Sequence, residues 1–228
     1  MESVRAYMAA NYSAAIRYPY VAFWAMNNLY EMESPARDTE ALAYFRSKWA
    51  AVMARTDTGT LTEEFNAGES CHAFGAVPAC FLSTRVLGVR MDGPRANARV
   101  VIEPRPGDLT SASGTVVTDH GLVPVGWSRA PSSFTLNATV PAGISATVAL
   151  PANVFPGCAP PERVTANGIV VWENGAWLGG APGLSFQGAD GKFLRFTAVA
   201  GEWSFQVTAA PNQAPTVTIS EPLGDLIR

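Results

Sequence analysis

The hydrophobic pattern changes its period once along this chain, near Gly88, and that change constrains the fold more than any other feature. Before it, apolar residues recur every three to four positions, the spacing of one helix face. After it, they alternate with small or polar residues, as in strands with one buried face. The sequence therefore predicts an α+β chain, with a helical segment over residues 1–90, an antiparallel β-sandwich over residues 91–208 and a loosely ordered tail over residues 209–228.

Three helices are predicted in the first part of the chain. Pro19 suits the first position of one helix, and Ser34-Pro35 suits the N-cap and first position of the next. Joined by a short link, these two helices would form an αα-hairpin. A third apolar segment covers about residues 72–87, and Pro78 is expected to kink or split it.

Strands are predicted throughout the second part, and turn signals separate them. Asn167-Gly168, Asn174-Gly175 and Asp190-Gly191 are dipeptides favoured in tight hairpins, and Asp119 is expected to bond its own backbone in another turn. Many short strands at near-regular spacing are typical of a sandwich. The predicted strands cover residues 100–102, 114–118, 122–127, 134–140, 144–150, 168–172, 184–187, 193–198 and 203–208.

Composition excludes several classes of protein. Charged residues make up 15% of the chain and the net charge is −3, which fits neither a disordered acidic chain nor a basic nucleic-acid binder. No continuous apolar segment indicates a signal peptide or membrane span, so a cytoplasmic location is expected.

Cys71 and Cys80 would lie about 13 Å apart in a helix, beyond disulfide reach. Without a CxxC motif or a Cys/His cluster, neither a metal site nor a cofactor is expected.

One stretch of the chain, residues 60–72, gathers groups suited to acid–base chemistry. It holds Glu63, Glu64 and Glu69, and it ends at His72. A carboxylate can deprotonate water, and a histidine can bond a sugar hydroxyl or orient the base. The alternative, which spacing alone favours, is that these are solvated loop charges. Aromatic residues near Tyr20 and Trp24 could line a sugar site, although core packing explains such residues more often.

Several motifs together resemble a known enzyme family. They are RYPY at residues 17–20, GTLTEEF at 59–65, SCHAFGAVPA at 70–79, LGV at 87–89, IEPRPGDL at 102–109 and GTVVTDHG at 114–121. In this order they resemble the end of bacterial α-L-rhamnosidases, glycoside hydrolase family 78, over residues 12–205. The resemblance implies that the helical segment is the last part of a toroid of helical hairpins, followed by the C-terminal β-sandwich.

The resemblance also implies an activity and a partner. The activity is inverting hydrolysis of terminal α-L-rhamnose, with Glu63 as general base and His72 at the sugar site. Glu64, Tyr20 and Trp24 are the further candidates for binding this carbohydrate. The chain departs from the family twice: Thr62 stands where the family has Trp, and the family's general acid lies in upstream hairpins that this sequence does not contain. Asp57, Glu64 or Glu69 could replace that acid.

Two functions therefore stay open. One is a truncated rhamnosidase-like glycosidase, which retention of Glu63 and His72 favours. The other is a non-catalytic carbohydrate-binding or oligomerisation module, which the missing acid favours. Large apolar side chains of the helical segment would need cover from the sandwich or from another copy, which predicts a homo-oligomer joined through this segment. These side chains are Tyr20, Phe23, Trp24, Phe45, Trp49 and Phe81.

Overall fold

Two helices open the described part of the chain and form a hairpin. The computed structural model describes residues 17–54, 60–65, 72–93, 99–155 and 160–209. Helix α1 (Pro19–Glu31) is followed by α2 (Pro35–Met53), and the two pack against each other. Each begins with proline in its first turn, where the missing backbone N–H has no intrahelical partner to lose. The predicted αα-hairpin is confirmed.

The third helical segment is divided into three short pieces. A 3₁₀ turn (Ala73–Ala76) leads into α3 (Val77–Phe81), which passes into a π-helical turn (Leu82–Val86). Pro78 lies in the first turn of α3, so the predicted split occurs immediately before it. The hydroxyls of Ser83 and Thr84 each donate to a carbonyl four residues earlier, at 2.7 Å, which favours bending of the helix.

Ten strands follow in the described ranges, and nearly all of their pairings are antiparallel. The exception is one short pairing: β2 and β5 are parallel, with Val101 opposite Thr147. The strands are β1 (Val89–Asp92), β2 (Arg99–Ile102), β3 (Ser111–Thr118), β4 (Gly121–Ala130), β5 (Ser133–Pro151), β6 (Pro161–Ala166), β7 (Ile169–Glu173), β8 (Ala176–Trp177), β9 (Leu184–Ala189) and β10 (Phe193–Ala209).

The two longest strands, β5 and β10, bend so that their two halves belong to different layers. Phe205 follows Phe196 by nine residues on β10, about 30 Å in a straight strand, yet the two ring centroids are 6.0 Å apart. Between these two residues the pairing of β10 with β5 shifts register, at Val199 and Gly201. Sheet I contains β1, β2, the end of β5, the start of β10 and β9. Sheet II contains β3, β4, the start of β5, the end of β10, β6, β7 and β8.

The helices and the sandwich share one hydrophobic core. Trp127 of β4 donates its indole N–H to the carbonyl of Val86 at 2.8 Å, at the end of the helical segment. Trp49 and Phe81 are fully buried, so part of the predicted cover comes from within the chain. Tyr20 and Trp24 stay 42% and 59% exposed. The side chains of Phe23 and Phe45 are half-buried.

A buried ion pair connects the helices to the strands. Arg105, which follows β2, donates to both carboxylate oxygens of Asp38 on α2, at 2.8 and 2.9 Å. It also donates to the carbonyl of Tyr30 at 3.1 Å, at the end of α1. Gly88 lies nearby with φ +79°, and a Cβ there would come within 2.2 Å of the backbone of Glu103. Only glycine permits this close passage between the last helical turn and β1.

Candidate functional site

The segment over residues 60–65 is held between α1 and the 3₁₀ turn by backbone hydrogen bonds. Phe65 N–H donates to the carbonyl of Arg17 at 3.0 Å, and His72 N–H donates to the carbonyl of Leu61 at 2.9 Å. The Phe65 ring meets the buried ring of Trp49 edge-on, with centroids 4.8 Å apart. These contacts place the predicted base, Glu63, on a fixed backbone.

Gly75 allows this segment to approach the 3₁₀ turn closely. A Cβ at Gly75 would lie 2.4 Å from the Cβ of Leu61 and 3.0 Å from the carbonyl oxygen of Thr62. The Gly75 carbonyl also accepts the indole N–H of Trp49 at 3.2 Å. Helix α2, the turn and the segment are therefore locked together around a residue without a side chain.

Three consecutive residues of the segment have different environments. Thr62 is buried, and its hydroxyl donates to the carbonyl of Glu64 at 2.6 Å. Glu64 accepts a hydrogen bond from the guanidinium of Arg17, and this ion pair raises the pKa of Arg17. Glu63 is half-buried and makes no hydrogen bond or ion pair with any residue in the described ranges. Arg17 thus holds the carboxylate of Glu64, and the neighbouring carboxylate of Glu63 stays available to accept a proton.

Aromatic rings continue from His72 along the surface beside this segment. The His72 ring lies 4.6 Å from that of Phe74, which lies 5.1 Å from that of Tyr20. Phe74 is 46% exposed, as a binding surface requires. The Nδ1 atom of His72 is buried and has no partner among the described residues. Sequence reasoning missed Phe74, although its position two residues after His72 could have indicated it.

The structure brings Tyr20, His72 and the segment around Glu63 and Glu64 together, and in the described residues the ring of Trp24 contacts none of the rings of this group. Trp24 lies one helical turn beyond Tyr20 on α1, and its ring contacts that of Phe23 at 5.6 Å. Asp57 and Glu69, two of the candidate acids, lie outside the described residues, as do Cys71 and most of the predicted tail.

Asp119 and His120 form the turn between β3 and β4. Thr118, rather than Asp119, provides the side-chain bonds: its hydroxyl accepts the His120 N–H at 3.2 Å and donates to the Gly121 carbonyl at 2.8 Å. At the Asp190 turn, the carboxylate accepts the N–H groups of Lys192 and Phe193 at 2.9 and 2.7 Å.

No helix within the described ranges is long and apolar enough to cross a bilayer.

Comparison of the sequence with known proteins gives two matches. Residues 88–160 match the family model "Bacterial alpha-L-rhamnosidase C-terminal domain". An alpha-L-rhamnosidase from Streptomyces avermitilis is 32% identical over 107 residues, which cover 46% of this chain and 10% of that protein. The chain therefore corresponds to only a small part of this relative.

Comparison of the fold gives the same family name. The alpha-L-rhamnosidase structure from Dictyoglumus thermophilum matches with a TM-score of 0.64 at 18% identity, over 82% of this chain and 20% of that one. The Streptomyces avermitilis alpha-L-rhamnosidase complexed with L-rhamnose matches with a TM-score of 0.48 at 21% identity, over 81% of this chain and 19% of that one. The first match supports the α+β fold, and with the sequence matches it confirms the predicted resemblance to the C-terminal part of bacterial α-L-rhamnosidases.

Proposed function

Given this resemblance, we propose that the chain takes part in the inverting hydrolysis of terminal α-L-rhamnosides, with Glu63 as general base. The observation that carries the proposal is the contrast between Glu63 and Glu64. Glu64 is engaged by Arg17, whereas Glu63 has no partner in the described part and lies on a segment bonded to His72. A half-buried carboxylate without a cation is free to accept a proton from water.

The proposed mechanism assigns separate tasks to the neighbouring groups. Glu63 removes a proton from the water that attacks the anomeric carbon, while His72 bonds a sugar hydroxyl. Tyr20 and Phe74 contact the apolar side of the sugar ring. In an inverting enzyme the acid stands about 6.5–9.5 Å from the base, on the other side of the scissile bond. Among the described residues of the site Arg17 already engages Glu64, so we assign the acid to a residue outside them, and the helical segment to the end of a helical toroid.

The test uses a substrate whose leaving group needs no proton. Dinitrophenolate departs without acid assistance, so hydrolysis of dinitrophenyl α-L-rhamnoside requires only the base and the sugar site. We expect Glu63→Gln to lower the rate by about 10²–10⁴-fold, since an amide cannot accept the proton. Proton NMR should show β-L-rhamnose as the first product of the wild-type chain.

The matched control is Glu40→Gln, which changes a carboxylate on α2 that pairs with Arg37. We expect it to leave the rate unchanged. A wild-type rate in Glu63→Gln would remove Glu63 from the mechanism, and α-L-rhamnose as the first product would exclude inversion.

One observation favours the second candidate, a non-catalytic carbohydrate-binding module. Among the described residues of the site, Glu63 is the one unpaired carboxylate, because Arg17 already occupies Glu64. A site with a base but no acid can bind a sugar without cleaving natural glycosides. Binding of methyl α-L-rhamnoside, lost in His72→Ala, together with no turnover of the dinitrophenyl substrate, would establish this function instead.

The exposed apolar side chains support one further proposal, a homo-oligomer joined through the helical segment. Trp24, Tyr20 and Phe74 are each more than 40% exposed, and Met53 is 70% exposed. Large apolar groups gathered on one surface usually mark an interface. A two-fold dimer would bury the same face of both copies.

A further inference from the structure

A glycine in the middle of β4 has no local structural reason to be there. Gly126 does not have a positive φ, and a Cβ at this position would meet only the Cβ of Ser113, at an ordinary 3.6 Å. Glycine inside a strand weakens the strand relative to alanine. Where neither conformation nor packing requires it, such a glycine often marks a place that a ligand approaches closely.

Gly126 forms the floor of a groove of about 700 Å³ on the outer face of sheet II. Strand register places it between Ser113 of β3 and Asn137 of β5, and Ser204 of β10 lies opposite Asn137. Asn167, which directly follows β6, closes one end of the groove. Its Oδ1 accepts the Ser204 N–H at 2.7 Å. From β3 to β6 the groove crosses about 19 Å of sheet, at about 4.8 Å per strand.

Six side chains of the groove are neutral hydrogen-bonding groups, and apolar side chains, Trp203 among them, lie beside these. Thr115 and Thr139 add hydroxyls beside the Gly126 row, and Glu202 is the one ionisable residue in the lining, which contains no lysine or arginine. Each hydroxyl can both donate and accept, and the amide of Asn137 offers donors and an acceptor, whereas the amide of Asn167 already bonds the backbone of β10. This set matches a ligand that carries many hydroxyl groups.

Other ligand classes fit this groove poorly. Nucleic acids and phosphorylated ligands need cationic side chains, which the lining lacks. A peptide adding as a strand needs an open sheet edge, whereas the floor strands β4 and β5 are paired on both sides.

We propose that this groove binds a neutral oligosaccharide of a few sugar units, with Gly126 leaving room for a sugar ring between Ser113 and Asn137. The proposal goes beyond the hydrolytic function and does not depend on it. None of the groove residues belongs to the site around Glu63, so either site can exist without the other.

The test is to fill the groove without disturbing the fold. Gly126→Thr adds a β-branched side chain to an open strand position, so the thermal midpoint should stay the same or rise. Binding is measured by calorimetric titration with neutral manno-, xylo- and rhamno-oligosaccharides, in a His72→Ala background that disables the helical site. We expect binding to at least one of these sugars, and at least a tenfold loss of it in Gly126→Thr. Ser185→Thr, on the exposed face of β9 in sheet I, is the control and should bind normally.

Two results would overturn the proposal. One is that none of these oligosaccharides binds, or that Gly126→Thr binds them as tightly as the control. The other is that the groove joins two copies of the chain, seen as a dimer in light scattering that Gly126→Thr dissociates. Hydrolysis by the Glu63 site has its own readout, because Gly126→Thr should leave turnover of dinitrophenyl α-L-rhamnoside unchanged in chains that retain His72.

Discussion

Two adjacent glutamates in this chain have different surroundings, and the difference comes from a distant residue. Arg17 lies 47 positions before Glu64 and binds its carboxylate. Glu63 has no such partner in the described part of the chain. The two identical side chains therefore have different roles. That of Glu64 is held by an ion pair, and that of Glu63 remains available to accept a proton. The sequence motif could indicate that a carboxylate matters here, but the partner that separates the two is visible only in the fold.

Gly75 gives the most direct test at the scale of one residue. We expect Gly75→Ala to lower the free energy of unfolding by about 1–3 kcal/mol, because its Cβ would overlap the Cβ of Leu61 rather than the end of a flexible side chain. The displaced segment carries Glu63, so hydrolysis of the dinitrophenyl substrate should also fall. Urea unfolding followed by circular dichroism measures the first effect, and initial rates measure the second.

The control for this change is Gly126→Ala, which places the same methyl group where it meets only an ordinary contact. It should leave stability the same or raise it slightly, since alanine restricts the unfolded chain. Equal stability of Gly75→Ala and the wild-type chain would show that the 3₁₀ turn can move away from Leu61 without cost.

At the scale of elements, the sequence predicted what depends on local pattern and missed what depends on distant pairing. The proline-initiated helices and the alternating strands were predictable from their own residues. Strands β1 (Val89–Asp92) and β6 (Pro161–Ala166) were missed, because both are short and charged and are stabilised by pairing with β2 and β10. The predicted strands at residues 134–140 and 144–150 are one strand, β5, that bends between layers. Likewise, ring contacts connect Tyr20 to His72 through Phe74 but do not include Trp24, and the parts played by Phe74 and Arg17 needed the fold.

The buried pair of Arg105 and Asp38 tests how the helices are attached to the strands. Burial raises the pKa of Asp38 despite the opposing hydrogen bonds from Arg105. Arg105→Met removes the cation and leaves a buried carboxylate, so we expect a loss of about 3–5 kcal/mol in the free energy of unfolding at pH 7. Denaturant unfolding followed by near-ultraviolet circular dichroism measures this loss.

Two further measurements separate this explanation from a simple packing defect. A raised pKa means that the folded state takes up the proton more readily than the unfolded state, so the deficit of Arg105→Met should shrink as the pH falls through the pKa of Asp38. The double variant Asp38→Leu/Arg105→Met should be more stable than the single variant, because no charge is left buried. A deficit that is the same at all pH values would contradict the role of the carboxylate.

At the scale of the whole molecule, the apolar surface and the candidate site overlap. Rings of the helical segment pack on Trp49 and Phe81, but Tyr20 and Phe74 remain exposed and belong to the proposed sugar site. Association through this face would therefore either cover the sugar site or complete it. A substitution at Trp24 can test association separately from sugar binding, because the Trp24 ring contacts Phe23 and none of the rings of the site.

We expect the wild-type chain to be a dimer by light scattering at micromolar concentration, and Trp24→Gln to shift it to monomer, because the substitution places a polar amide in an apolar interface. The control is Val117→Gln, at a 79% exposed position on β3, away from the helices, which should leave the mass unchanged.

A rate of hydrolysis that falls with dissociation would indicate that the partner copy completes the site. A rate that rises would indicate that the interface covers it. A monomeric wild-type chain would contradict the oligomer, and a Trp24→Gln variant that loses only sugar binding would assign Trp24 to the sugar site.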